Sequence, residues 1–146
     1  MYRLIATAAA GASLLAAAPV LAQTHPEEAA VRATLEHYLA GHATGQAQEF
    51  RQAFHDEARL QWVRDGAYGQ RSDDDYIAGA SGKPAGDEAQ RKRWIESIDI
   101  TGSAASAKII LDYPNAVLTD YMQLLRTPEG WKIVNKIVDA KPKPKP

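Results

Sequence analysis

Residues 115–140, NAVLTDYMQLLRTPEGWKIVNKIVDA, leave little freedom in how this chain can fold. They read as two long strands joined at Thr127, Pro128, Glu129 and Gly130, where Pro and Gly supply the backbone angles of a hairpin turn. Ala116, Leu118, Asp120, Met122 and Leu124 alternate along the first arm; Trp131, Ile133, Asn135 and Ile137 alternate along the second. With the four turn residues in the loop, Arg126 falls opposite Trp131, Leu124 opposite Ile133 and Met122 opposite Asn135. Side chains alternate faces with period two, so both sets share one side of a sheet. That side is apolar except for Asp120 and Asn135, which lie diagonally within reach of one another. They form either a satisfied structural pair or the polar lining of a cavity.

The rest of the chain supplies what the hairpin must pack against. Pro26, Glu27 and Glu28 open a helix, with Thr24 in the cap position and the acids set against the positive end of the helix dipole. Val31, Leu35, Tyr38, Leu39 and His42 form one helical stripe, and Gly41 and Gly45 bracket its end. His37 points elsewhere, towards solvent. A shorter helix from about Gln46 places Ala47, Phe50, Ala53 and Phe54 on one face and runs out at His55. Residues 59–64 and 67–70 flank Asp65-Gly66, a strong hairpin signal, although Trp62 and Val63 leave the buried side open. Ser72 caps a third, short helix whose first turn is Asp73, Asp74 and Asp75. Those carboxylates read as a solvated, dipole-matched helix start rather than a metal site. Residues 78–90 are small, polar and Gly-rich, either a lid or slack. Two further strands follow, one with Trp94, Glu96, Ile98 and Ile100 on one side, the next with Ala107, Ile109, Leu111 and Tyr113. The expected class is therefore α+β: three N-terminal helices laid on a curved antiparallel sheet that leaves a conical mouth.

Both ends differ from this domain. Arg3, the apolar run 4–18 and Val20-Leu21-Ala22 have the form of a signal peptide, so residues 1–22 are expected to be removed on export to the periplasm or medium. The run is short and broken by Gly11, Ser13 and Pro19, so no stable membrane span is expected. The domain is expected over residues 23–140. Residues 141–146, Lys-Pro-Lys-Pro-Lys-Pro, are expected to be an extended, disordered tail that enters neither helix nor sheet. With 17 basic and 18 acidic residues, nothing marks a general nucleic-acid binder. The absence of Cys excludes thiol nucleophiles, thiolate metal sites and disulfides, so packing alone must hold the domain.

Three stretches carry a resemblance: VRATLEHYLAGHATG at 31–45, FHDEA at 54–58 and GWKIVNKI at 130–137. Together they resemble the cone-shaped nuclear transport factor 2-like superfamily, whose fold is cystatin-like. Within it they are most similar to the exported bacterial set known as "putative lumazine-binding" or SnoaL-like proteins. The Gly-Trp-Lys-Ile-Val ending is common across the superfamily and marks fold; the Tyr-Leu-Ala-Gly-His-Ala-Thr-Gly stretch is more specific. The resemblance implies a homodimer through the outer sheet face and a pocket between sheet and helices. It implies no single activity.

Four groups are expected to converge in the cone. His42 beside Asp120 would form a general base, the carboxylate orienting the ring and raising its pKa. Tyr38 and Asn135 would donate to a developing oxyanion. Trp62, Tyr76, Trp94 and Met122, with Tyr38 and Asn135, would line a pocket for a small, largely apolar or aromatic ligand. No cofactor or metal is expected. His55 reads as a surface turn, and Arg91, Lys92 and Arg93 either greet an acidic ligand at the rim or form a solvated edge. The function expected first is small-molecule binding. An acid–base enzyme (isomerase, dehydratase or hydrolase) using the same pocket is the alternative, and a dimeric interaction module without a ligand comes third.

Overall fold

The computed structural model describes residues 25–144. The leader, Thr24 and the last two residues lie outside them. Helix α1 (Glu28–Thr44) buries Val31, Leu35 and Tyr38 on the expected stripe and ends on Gly45, whose φ of 71° makes a left-handed cap. Gly41 lies inside the helix. A Cβ there would stand 2.6 Å from the Phe50 ring, so its absence lets α2 (Ala47–Ala53) close on α1. His37 bridges the same two helices through Glu49 at 2.7 Å.

Strands β1 (Phe54–Arg64) and β2 (Ala67–Ser72) form the first hairpin. Asp65 and Gly66 both take positive φ, 51° and 77°, as its two-residue turn requires. Ala58, Leu60 and Trp62 face inward, while Val63 is 65% exposed on the outer face. Ser72 caps α3 (Asp73–Ile77) by accepting from the Asp75 amide at 3.1 Å. The segment 78–90 is tied down: the Gly82 amide donates to the Gly45 carbonyl and Gln46 donates to the Gly82 carbonyl. It ends in a single 3₁₀ turn, Glu88–Gln90.

Strands β3 (Lys92–Thr101), β4 (Ala104–Asp112), β5 (Ala116–Thr127) and β6 (Gly130–Pro142) run as the expected meander. The sheet order is β2-β1-β6-β5-β4-β3, with β1 parallel to β6 and every other pair antiparallel. The sheet is therefore mixed, because the β1–β2 hairpin docks on the far side of β6. The core fills the space between the helices and the inner sheet face, around Leu35, Phe54, Ile109, Leu111 and Ile133.

Two β-bulges change which residues face inward. Arg126 pairs with Trp131 and Leu124 with Ile133, as the turn dictates, but Gln123 then pairs with Asn135 and Met122 with Lys136. Val134 is the extra residue. One extra residue reverses the facing of everything beyond it. Asn135 consequently lies on the outer face, bonded to Gln123 at 3.0 Å, and Lys136 is buried at 4% exposure. The expected Asp120–Asn135 pair does not form. A bulge at Glu96 does the same in β3: Ile95, Ile98 and Ile100 pack on the core, and Trp94 sits outside at 41% exposure.

The tail also departs from expectation. Lys141 and Pro142 extend β6, pairing with Val117 and Ala116, and the Lys143 amide donates to the Asn115 carbonyl. Pro142 is tolerated because its missing N–H falls at a strand end. Among the described residues, no helix is long and apolar enough to cross a membrane.

Candidate functional site

Two polar groups meet where α1, α3 and the inner sheet face converge. The deeper one joins Tyr38, Asp120 and Lys136. Tyr38 donates its hydroxyl to Asp120 Oδ2 at 2.5 Å, and Lys136 Nζ donates to the Tyr38 oxygen at 2.7 Å and stands 3.2 Å from Asp120 Oδ1. All three side chains are buried, and Asp120 Oδ1, which accepts no hydrogen bond among the described residues, is balanced by the Lys136 charge beside it. Burial and the neighbouring Asp120 charge push the Tyr38 hydroxyl well above the usual tyrosine range, so it stays a donor. Burial alone would lower the Lys136 pKa, but Tyr76 and Asp120 outweigh it and leave it above the ordinary lysine value. The group is an ion pair with a shared hydroxyl.

The shallower group is centred on His42, one helical turn beyond Tyr38. The two rings meet edge to face, 4.7 Å between centroids. His42 Nε2 is 2.8 Å from the Tyr76 hydroxyl and Nδ1 is 3.1 Å from the Tyr113 hydroxyl. Burial, with the positive charges of Lys136, Arg93 and Arg91, holds the imidazole well below its usual pKa. It is neutral, with one nitrogen donating and the other accepting. The Arg91 and Arg93 guanidinium carbons lie 4.3 and 5.4 Å from the Tyr113 ring centroid. Their field, and the stabilisation of the Tyr113 oxygen by Arg93, turn the hydroxyl proton away from them and towards Nδ1. Nε2 then carries the proton and donates it to the Tyr76 oxygen, and the Tyr76 hydroxyl in turn lies in hydrogen-bond contact with Tyr38.

Tyr76 faces a pocket of about 300 Å³ between α1, α3 and the segment 78–85. His42, Phe50, Tyr76 and Gly41 form one side, with Arg71 and Arg91 across from them. Arg71 lies over both the Trp62 ring (5.0 Å) and the Tyr76 ring (5.6 Å), a cation held between aromatic faces. Gly79, Ala80 and Lys83 close the outer rim.

Of the residues expected here, the structure brings together Tyr38, His42, Tyr76 and Asp120, with Trp62 behind Arg71. Met122 is core, 1% exposed beneath the site, and Trp94 and Asn135 are on the opposite sheet face. His42 and Asp120 share no hydrogen bond; tyrosines stand between them, and His42 is driven down in pKa rather than up. With both His42 nitrogens engaged and Asp120 committed to Lys136 and Tyr38, the direct His–Asp base is not built. Lys136, Tyr113 and Arg71 were missed. Tyr113 was legible at the end of the inner stripe that runs along β4, whereas Lys136 was hidden by the bulge.

The neutral imidazole has a consequence for stability. The unfolded chain takes up a proton below about pH 6.5, the ordinary imidazole value, while the folded chain resists it. The contribution is therefore complete above that pH and is lost as pH falls. Urea-unfolding free energy is expected to drop more steeply from about pH 7 to 5 in the wild type than in His42→Gln. Parallel profiles would contradict a buried neutral His42.

Comparison with known proteins places this geometry. The chain is similar to a nuclear transport factor 2-like protein of unknown function from Shewanella baltica, with 27% identity, 83% of this chain and 100% of that chain covered, and a TM-score of 0.73. It is similar to one from Methylobacillus flagellatus at 24% identity, covering 82% and 95%, with a TM-score of 0.68. A third, from Silicibacter pomeroyi, shares 22% identity over 77% and 94%, with a TM-score of 0.67. The last two likenesses speak to the fold. No curated protein matches the chain. The family model described as "Putative lumazine-binding" matches residues 26–138, and the chain belongs to that family, within the nuclear transport factor 2-like fold.

Proposed function

We propose that this protein binds a small molecule, with a flat unsaturated portion, in the pocket beside His42. One observation carries the reading: a pocket of about 300 Å³ is walled by His42, Phe50 and Tyr76, with Arg71 and Arg91 also in its lining. Aromatic walls with a few fixed polar groups are what ligand sites require. The arrangement favours binding over acid–base chemistry, because both His42 ring nitrogens are engaged by tyrosines and Asp120 is held by Tyr38 and Lys136.

Thermal-shift and ¹⁵N NMR screening of two-ring aromatic fragments tests it. Hits are expected to raise Tm and move the amides of Gly79, Ala80 and Lys83. Ala80→Phe, which fills the mouth, is expected to weaken them at least about tenfold by excluding the ligand. A screen in which no fragment perturbs these amides would refute the reading.

We further propose export directed by residues 1–22 and a homodimer through the outer sheet face. Val63, Tyr68, Tyr121 and Ile137 support the dimer: they gather there, each between 47% and 65% exposed, around a groove of about 340 Å³. Sedimentation equilibrium is expected to give twice the chain mass for the wild type and the monomer mass for Tyr121→Lys. A wild type that stays monomeric at its highest soluble concentration would sink the dimer.

A further inference from the structure

The charges around the pocket define its ligand further than its shape does. Three lining residues are cations, Arg71, Lys83 and Arg91, and none is an acid. The chain as a whole carries slightly more acidic than basic residues, so this is a local segregation. The cations differ in how they are held. Arg91 gives its Nε to Asp87 at 2.7 Å and lies on the Tyr113 ring, which fixes its guanidinium and leaves its two terminal nitrogens without a carboxylate partner among the described residues. Arg71 has no carboxylate within ion-pair distance among the described residues, although Asp73, Asp74 and Asp75 follow it closely in sequence. Asp74 turns to Arg51 instead. Arg71 is positioned by two aromatic faces and not by a counter-ion, so its planar fork is oriented and its charge uncompensated.

The neutral groups point the same way. His42 has both ring nitrogens engaged by tyrosines, and the Tyr76 hydroxyl is held between His42 and Tyr38, so neither presents a negative charge to the pocket. The charged groups that line the pocket are thus all donors: an oriented guanidinium, a second guanidinium and an ammonium. A ligand group that satisfies them must accept several hydrogen bonds and carry negative charge.

We infer that the ligand is a small planar aromatic anion, its ring against the aromatic wall that Phe50 and Tyr76 form together and its carboxylate or phosphate on Arg71 with help from Arg91 and Lys83. This rests on the binding reading above and adds the chemical class. It also assigns Arg71 as the specificity-determining residue.

The test compares three probes on ¹⁵N-labelled protein by NMR titration: 1-naphthoate, 1-naphthyl phosphate and the neutral 1-naphthamide. At least one anion is expected to bind about tenfold or more tightly than the amide, as charge-assisted bonds imply, and to lose that margin in Arg71→Gln. Arg71 is exposed and has no ion pair among the described residues, so its replacement leaves the core intact. Arg32→Gln, which removes a surface cation paired to Glu28 away from the pocket, is expected to keep the preference. Whichever anion binds more tightly identifies the acid group as carboxylate or phosphate. Equal affinity for anion and amide, with the pocket amides moving for both, would overturn the charge inference and leave the binding reading standing. A preference that survives Arg71→Gln would also overturn it. No movement of those amides by any probe would overturn both.

Discussion

Lys136→Met is expected to destabilise the protein by about 3–5 kcal/mol, the cost of stranding a buried charge. Asp120 is fully buried, and without the ammonium its carboxylate keeps only the Tyr38 hydroxyl. A methionine fills the aliphatic volume of the lysine, so the loss reports the charge and not the packing. Adding Asp120→Leu to the same chain is expected to recover most of the loss, because well-packed apolar residues replace a buried pair at little net cost. Asn135→Met, one residue away on the outer face, should stay within about 0.5 kcal/mol of the wild type. Urea unfolding of the four proteins checks this. A Lys136→Met effect no larger than that of Asn135→Met would place the lysine in solvent and remove the inner ion pair.

Trp131→Ala is expected to cost about 3–5 kcal/mol, as large aromatic truncations in a core do. Trp131 is 5% exposed, at the start of β6. Its indole nitrogen donates to Glu27 at 2.9 Å and its backbone carbonyl accepts from Thr34 at 2.9 Å, so it joins β6 to the start of α1. Trp131→Phe retains most of the buried ring and loses the indole bond, with an expected cost nearer 1 kcal/mol on the scale of one hydrogen bond. Equilibrium denaturation orders the two variants; an alanine variant no worse than the phenylalanine would show that the ring does not seal the core.

These two residues, five apart on one strand, mark the limit of what the sequence reveals. Trp131 was legible because its facing follows from the turn, and nothing between Gly130 and Ile133 disturbs the alternation. Lys136 was not. The bulge at Val134 has no Gly or Pro to announce it, and a valine suits a regular strand equally well. The same is true at Glu96, where an unmarked bulge moved Trp94 from the expected pocket to the outer face. Local signals such as the Asp65-Gly66 turn and the Ser72 cap transferred faithfully because they are determined by adjacent residues. The parallel pairing of β1 with β6 depends on contacts some 75 residues apart, and no local pattern encodes it. For the site, the helical stripe turned Tyr38 and His42 inward, and Tyr38 but not His42 bonds Asp120. Their partners came from elements whose facing or position only the packed structure decides.

The state of His42 tests the account most directly, because a neutral imidazole with both nitrogens engaged is what leaves the site without a free base. A long-range ¹H–¹⁵N correlation spectrum at about pH 6, below the ordinary imidazole value, reads both ring nitrogens separately. The predicted result is one protonated nitrogen, Nε2, and one unprotonated acceptor, Nδ1. Two protonated nitrogens at that pH would mean an imidazolium between the tyrosines. Tyr76 would then stand beside a charge, and the account of the site would be wrong.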